Sequence, residues 1–181
     1  MALPATIYRA TIQLSDVDRN LYETLQATVA QHPSETEERL VARLLAYALS
    51  YAPDLAFTKG VSAADEPDLW VKGPDGRVTT WIEVGLPDPE RLAKASRHVG
   101  RVILFASGHA LPRWEEQHLA KLRGISNLTI LGIDQTFLTR LVGRLQRSIA
   151  WDLTITEGAI YLTVGGETLE TTLANIKLAE K

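Results

Sequence analysis

Asp68 and Glu83 are the residues whose types and spacing point most directly to chemistry. They lie in Glu66-Pro67-Asp68-Leu69-Trp70 and Trp81-Ile82-Glu83-Val84-Gly85, on either side of Gly73-Pro74-Asp75-Gly76. Apolar and polar residues alternate on both arms of that Gly/Pro/Asp cluster, which predicts a β-hairpin. A type I′ turn at Asp75-Gly76 sets Pro74 opposite Arg77, Leu69 opposite Ile82 and Asp68 opposite Glu83. A four-residue turn, Gly73 to Gly76, leaves the two acids diagonal but still on one face, because side chains alternate with period two. Only a bulge that changes the parity separates them. Like charges across a sheet repel, so the pair requires open water, a shared proton or a cation.

Other ionisable groups sit in the flanking elements. Ser34-Glu35-Thr36-Glu37 fits a capping box and predicts a helix from Ser34 that stops before Pro53. Glu37 then either caps that helix or supplies a third carboxylate to the hairpin. His32, just before the cap, reads as a loop hydrogen-bonder. After Gly85, Asp88 and Pro89 mark another helix start. That helix carries Arg91, Lys94 and His98 in one stripe. The stripe is either a solvated face or a set of cations able to neutralise an anion beside Asp68 and Glu83. Trp70 opposite Trp81 reads as cross-strand packing, with base stacking the alternative.

The rest of the chain must position these groups. Residues 6–14 alternate as a strand, and after a turn residues 21–30 alternate as a second, although Leu21, Leu25 and Val29 also fit a helical stripe. Residues 101–107 form a short, continuous apolar run typical of a strand covered on both sides. Helix 113–122, strand 127–133 and helix 134–145 follow, the last capped by Asp134. The alternation of strands and helices predicts parallel crossover connections and an α/β centre. From Ile149 a meander resumes, with turns at Glu157-Gly158 and Gly165-Gly166. The expectation is a single unit over 1–181. It has an α/β core over about 34–145 and a second, antiparallel sheet built from N-terminal strands within 5–30 and a C-terminal meander within 147–175.

Composition narrows the function classes. The chain has 181 residues, a formal net charge of −3 and a pI near 5.8, which argues against coating nucleic acid through global charge. A local basic patch is compatible with those values. Cysteine is absent, which excludes disulfide and thiolate chemistry. No apolar run is long enough to cross a bilayer. The N-terminus lacks a basic run followed by an apolar core. A cytoplasmic protein without membrane attachment is the expectation.

Taken in order, the segments resemble the core of the PD-(D/E)XK nuclease superfamily. More closely, His32-Pro33-Ser34-Glu35-Thr36-Glu37-Glu38-Arg39, Glu66 to Trp70 and Trp81 to Gly85 resemble the characteristic segments of the bacterial YaeQ family, and the likeness covers nearly the whole chain. The resemblance implies a restriction endonuclease-like fold with a mixed sheet and added strands, and an ancestral phosphodiesterase site acting on nucleic acid. In that scheme Asp68 and Glu83 ligate Mg²⁺ or Mn²⁺, whose preference for hard oxygens suits carboxylates. Glu37 is an outer ligand or positions water, and a lysine orients the nucleophilic water. This sequence departs from the pattern at Gly85, where the motif has lysine. Lys94 on the next helix is the candidate replacement, with Arg91 and His98 beside it as phosphate-binding candidates. Leu86 stands where family members often have glutamine. The resemblance therefore leaves two expectations, a metal-dependent nuclease or a binding module that has lost catalysis. A purely structural interaction protein is a third.

Overall fold

The computed structural model describes residues 3–59 and 65–180. In it, β1 (Thr6–Asp16) and β2 (Leu21–Gln31) form an uninterrupted antiparallel hairpin. Tyr8, Ala10, Ile12 and Leu14 turn inward from β1, and Leu25 and Val29 from β2, while the intervening residues face solvent. Strand periodicity thus prevails at 21–31. Three later strands extend this sheet: β8 (Ser148–Thr156), β9 (Ala159–Val164) and β10 (Glu167–Thr172), in the order β10-β9-β8-β1-β2.

The sheet is mixed, which corrects the expected antiparallel arrangement. β1 and β8 run parallel, from Arg9 opposite Ser148 to Asp16 opposite Ile155. Antiparallel neighbours can be joined by a tight turn, whereas parallel ones need a long crossover. Here the entire α/β centre serves as that crossover.

The second sheet has the order β11-β7-β6-β5-β4-β3. Its centre is parallel: β5 (Val78–Val84), β6 (Arg101–Ala106) and β7 (Leu128–Gly132). β3 (Leu55–Phe57) and β4 (Leu69–Lys72) add antiparallel strands on one side. On the other side lies β11 (Ala174–Lys177). The C-terminal meander therefore ends at Thr172, and the chain crosses to the second sheet. Lys177 secures that crossing by donating to the carbonyls of Ile125 and Leu128. The sequence predicts a loop containing Gly60 and Ala63-Ala64-Asp65 ahead of the hairpin, of which Gly60, Ala63 and Ala64 lie outside the described residues.

Helix α1 (Glu37–Leu49) and α4 (Gln135–Val142) pack between the sheets, in one core with Ile12, Trp151, Ile82 and Phe105. α2 (Pro89–Ser96) and α3 (Leu111–Leu122) cover the opposite face of the second sheet, with Leu92, Leu104 and Trp114 in a separate core. β5 and β6 are consequently covered on both faces. Among the described residues, no helix is long and apolar enough to cross a membrane.

Candidate functional site

The strands keep the anticipated register by an unanticipated route, but the expectation that Asp68 and Glu83 share one face is corrected: Asp68, just before β4, is held from α1 and Glu83 from α2. Leu69 faces Ile82, Trp70 faces Trp81 and Val71 faces Thr80, but Lys72 then faces Val78. The turn is closed by Gly76 N–H donating to Gly73 C=O and Gly73 N–H donating to Arg77 C=O, both at 2.9 Å. Gly76 has φ +80°, while Asp75 does not share a positive φ. A type I′ turn requires both, so that expectation is corrected. Thr79 forms a bulge, its hydroxyl donating to the Val71 carbonyl, and the bulge restores the register set one residue out at the turn.

The α1 cap also differs from the expected box. Thr36 is the N-cap and accepts from Arg39 N–H at 3.2 Å, whereas Ser34 pairs with His32 Nδ1. Glu37 is the first helical residue and is exposed. The side chain that reaches the hairpin from α1 is Arg39. This shift of two residues turns Glu35 inward, where it is buried and bound at both oxygens by Arg43, at 2.7 and 2.8 Å. Arg39 Nη1 donates to the same carboxylate at 2.9 Å, and its Nη2 donates to Asp68 at 2.5 Å. The other Asp68 oxygen accepts from Val84 N–H at 2.8 Å. The Asp68 carboxylate is 95% buried and has both oxygens engaged. Burial works against the Arg39 charge, but Asp68 and then Glu35 outweigh it and raise its pKa above the ordinary arginine value.

Glu83 is approached from the opposite layer. Arg91 Nε of α2 donates to its Oε1 at 2.5 Å, and Trp81 Nε1 donates to the same oxygen at 2.8 Å. Arg91 also donates to the Glu66 carbonyl and lies 5.7 Å from the Trp81 ring centroid. Burial is the largest influence on Glu83 and raises its pKa above the carboxylate norm. Arg91 and Trp81 oppose that rise, and the charge of Asp68 adds to it. The two acids are therefore close enough to feel each other, although each is paired with its own arginine.

The sequence candidates divide accordingly. Arg91, Lys94 and His98 line one cavity of about 330 Å³, with Trp81 and Asp65 on its other walls. Lys94 and His98 are exposed at this mouth, and Glu37 is exposed at the start of α1. Gly85 has φ +102°, a conformation in which lysine would be strained. A Cβ placed there would stand 3.9 Å from Arg39 Nε, an ordinary contact, so the backbone conformation rather than lack of space disfavours lysine here. Glu35, Arg39 and Arg43 were not among the expected functional groups. Their signal is the recurrence of a charge every fourth residue, which stacks them along one line through the start of α1.

As folded, these residues do not fit a divalent cation. Such an ion needs several oxygen ligands. Here each Asp68 oxygen accepts from an N–H donor and Glu83 holds Arg91, so the carboxylates face cationic and N–H donors rather than a gathered set of oxygens. Among the described residues, no group of three or more His, Cys, Asp or Glu side chains could hold a metal.

Comparison with known proteins places this arrangement in context. The family model described as YaeQ protein matches residues 1–173. The chain is 41% identical over 172 residues to the uncharacterized protein YaeQ of Salmonella typhi, covering 94% of each. It is 39% identical over 175 residues to the uncharacterized protein YaeQ of Escherichia coli strain K12, covering 96% of each. The crystal structure of YaeQ protein from Pseudomonas syringae matches with a TM-score of 0.91 at 42% identity, covering 95% of this chain and 96% of that one. The structure of YaeQ protein from Xanthomonas axonopodis pv. citri matches with a TM-score of 0.88 at 35% identity, covering 93% and 96%.

Proposed function

The chain belongs to the YaeQ family, and we propose that it is a nucleic-acid-binding module on a restriction endonuclease-like core, with its two core carboxylates held by arginines in place of metal. The order α1, β4–β5 hairpin, α2 and parallel β6 supports the core assignment. The observation that carries the function is the cavity where Arg91, Lys94 and His98 meet beside Glu83. Lys94 and His98 supply exposed N–H donors for a phosphate, and the Trp81 indole forms a wall against which a base can stack. The local patch supplies attraction that the net charge of −3 does not.

The second reading is a Mg²⁺- or Mn²⁺-dependent phosphodiesterase using Asp68, Glu83, Glu37 and Lys94. It is favoured by two buried carboxylates, Asp68 just before β4 and Glu83 in β5, brought together by one hairpin. It requires Arg39 and Arg91 to leave their carboxylates.

Fluorescence anisotropy with labelled single-stranded DNA, duplex DNA and RNA, alongside cleavage assays in Mg²⁺ and Mn²⁺, separates the readings. The binding module predicts salt-dependent binding that Lys94→Glu abolishes, without cleavage. Cleavage lost in both Asp68→Ala and Glu83→Ala establishes the phosphodiesterase instead. Absence of binding to all three probes at low salt removes the nucleic-acid reading.

A further inference from the structure

The two sheets have four edges, and three are protected. β3 has three residues, too few to template a partner. β11 has four, with a register shift and Lys177 near its end. β10 carries Glu167 and Glu170, and Glu167 is clasped by Arg140 of α4 and by Arg144 just beyond it. β2 differs from all three: it has eleven residues, pairs with β1 without a bulge, and contains no proline, lysine or arginine.

The direction of its free groups follows from two contacts. Arg43 Nη2 donates to the Ala30 carbonyl at 2.9 Å, so even-numbered peptide groups of β2 point away from β1. Arg9, opposite Thr28, correspondingly turns its N–H toward the other side of β1, to Arg147 C=O at 2.9 Å. The N–H and C=O groups of Tyr22, Thr24, Gln26 and Thr28 therefore face outward. Among the described residues they have no backbone partner. Their side chains are exposed and uncharged.

We propose that β2 is a homodimer interface, in which the same strand of a second copy pairs antiparallel about Leu25 and joins the two five-stranded sheets into one. In this register Tyr22 faces Thr28 of the second copy and Thr24 faces its Gln26, each pair exchanging two hydrogen bonds. The carbonyl already occupied by Arg43 is not required. Glu23 is the only charged residue in β2. It falls opposite Ala27 of the second copy, so the two-fold axis brings no like charges face to face. On the core side Leu21 meets Val29 of the second copy, which extends the apolar layer. The interface is self-complementary, as a two-fold axis demands.

Sedimentation equilibrium of the full chain from about 1 to about 200 µM tests the proposal, and dimerisation within that range is expected. Thr24→Lys with Gln26→Lys places lysines opposite each other twice, and Thr24→Glu with Gln26→Glu does the same with acids. Each double variant should weaken dimerisation at least about tenfold, and mixing the two should restore it as a heterodimer. Gln26→Pro deletes only an outward N–H and should also leave a monomer, with circular dichroism reporting the fold. If the proline variant unfolds, the charge-reversal mixture decides. A wild-type chain monomeric throughout, including one that instead captures only an extended peptide, overturns the proposal. So does a dimer indifferent to both charge variants.

Discussion

β5 is served by two arginines, one from each layer, and the same ion-pair chemistry has opposite surroundings on its two faces. Arg39 reaches Asp68 as the outermost member of a continuous series: Arg43 holds Glu35, Glu35 holds Arg39, and Arg39 holds Asp68, whose other oxygen takes the Val84 amide. Arg91 reaches Glu83 beside a cavity where Lys94 and His98 stand exposed. The difference is one of closure. The α1 face uses its charges on one another and fixes the start of the helix to the hairpin. The α2 face leaves cations facing solvent beside a carboxyl that burial holds in a weakened, more easily protonated condition. A ligand can compete on the second face far more readily than on the first.

The comparison is broken most severely at Arg43. Glu35 and Arg43 are both buried, and removing Arg43 leaves the Glu35 charge with one of its two oxygens unbound and only the partly exposed Arg39 as its partner. Arg43→Leu should cost about 3–5 kcal/mol, measured by chemical denaturation. Adding Glu35→Leu to it should recover much of that loss, since no buried charge is then left alone. Recovery would mark the series as a device of alignment. A further loss in the double variant would show that Glu35 contributes through Arg39 as well.

Asp68 is the next largest expected effect. Asp68→Ala leaves the Val84 amide without its buried acceptor and Arg39 without half of its pairing, for a loss of about 1–3 kcal/mol. Asp68→Asn retains an acceptor for that amide and should lose less. Denaturation of the two variants side by side measures the difference, and equal losses would assign Asp68's contribution to its charge.

Much of this architecture was legible in the sequence because it depends on local patterns. Alternation at 6–14 and 21–30, the Asp88-Pro89 start of α2, the Asp134 cap of α4 and the two-sided apolar run of β6 each express one periodicity or one cap. The parallel pairing of β1 with β8 was not legible, because the partners are far apart in sequence and strand alternation carries no direction. At the site, Asp68 and Glu83 were visible as acids, but the shared face that alternation implied is not kept, because Asp68 lies outside the paired strand and turns to the Val84 amide and Arg39 while Glu83 meets Arg91 of α2. What the pattern could not convey was occupancy. Thr36 rather than Ser34 caps α1, and this small local choice sends Glu35 into the core and brings Arg39, not Glu37, to Asp68. Two neighbouring hydroxyls compete for one cap, and tertiary ion pairs decide between them.

Glu83 sharpens the comparison through pH. Its unperturbed value is 4.5, and its folded pKa is higher, with burial the leading cause. Between those two values the folded protein retains a proton that the unfolded chain has released. The folded state therefore binds more protons, and the contribution of Glu83 to stability falls as pH rises through the window. Below 4.5 both states are protonated, and above the folded pKa both are charged. Glu83→Gln should flatten this part of the stability profile, measured by thermal unfolding across acidic buffers. An unchanged profile would show that the Arg91 pair fully compensates for burial.

Lys94 provides the smallest effect on stability and the sharpest distinction between the faces. Its side chain is exposed and has no described ion pair, so Lys94→Ala should alter stability by no more than about 0.5 kcal/mol. On the proposed binding surface the same substitution removes one phosphate contact. The slope of log affinity against log salt should then fall by about one, with little dependence on oligonucleotide sequence. His98→Ala removes one exposed N–H donor from the same surface and should weaken binding less than Lys94→Ala, measured in the same titrations. If Arg39→Lys weakened binding as much as Lys94→Ala, the ligand would have to reach across β5 to the α1 face. The separation of a closed and an open face would then fail, because a single ligand would be drawing on both arginine layers.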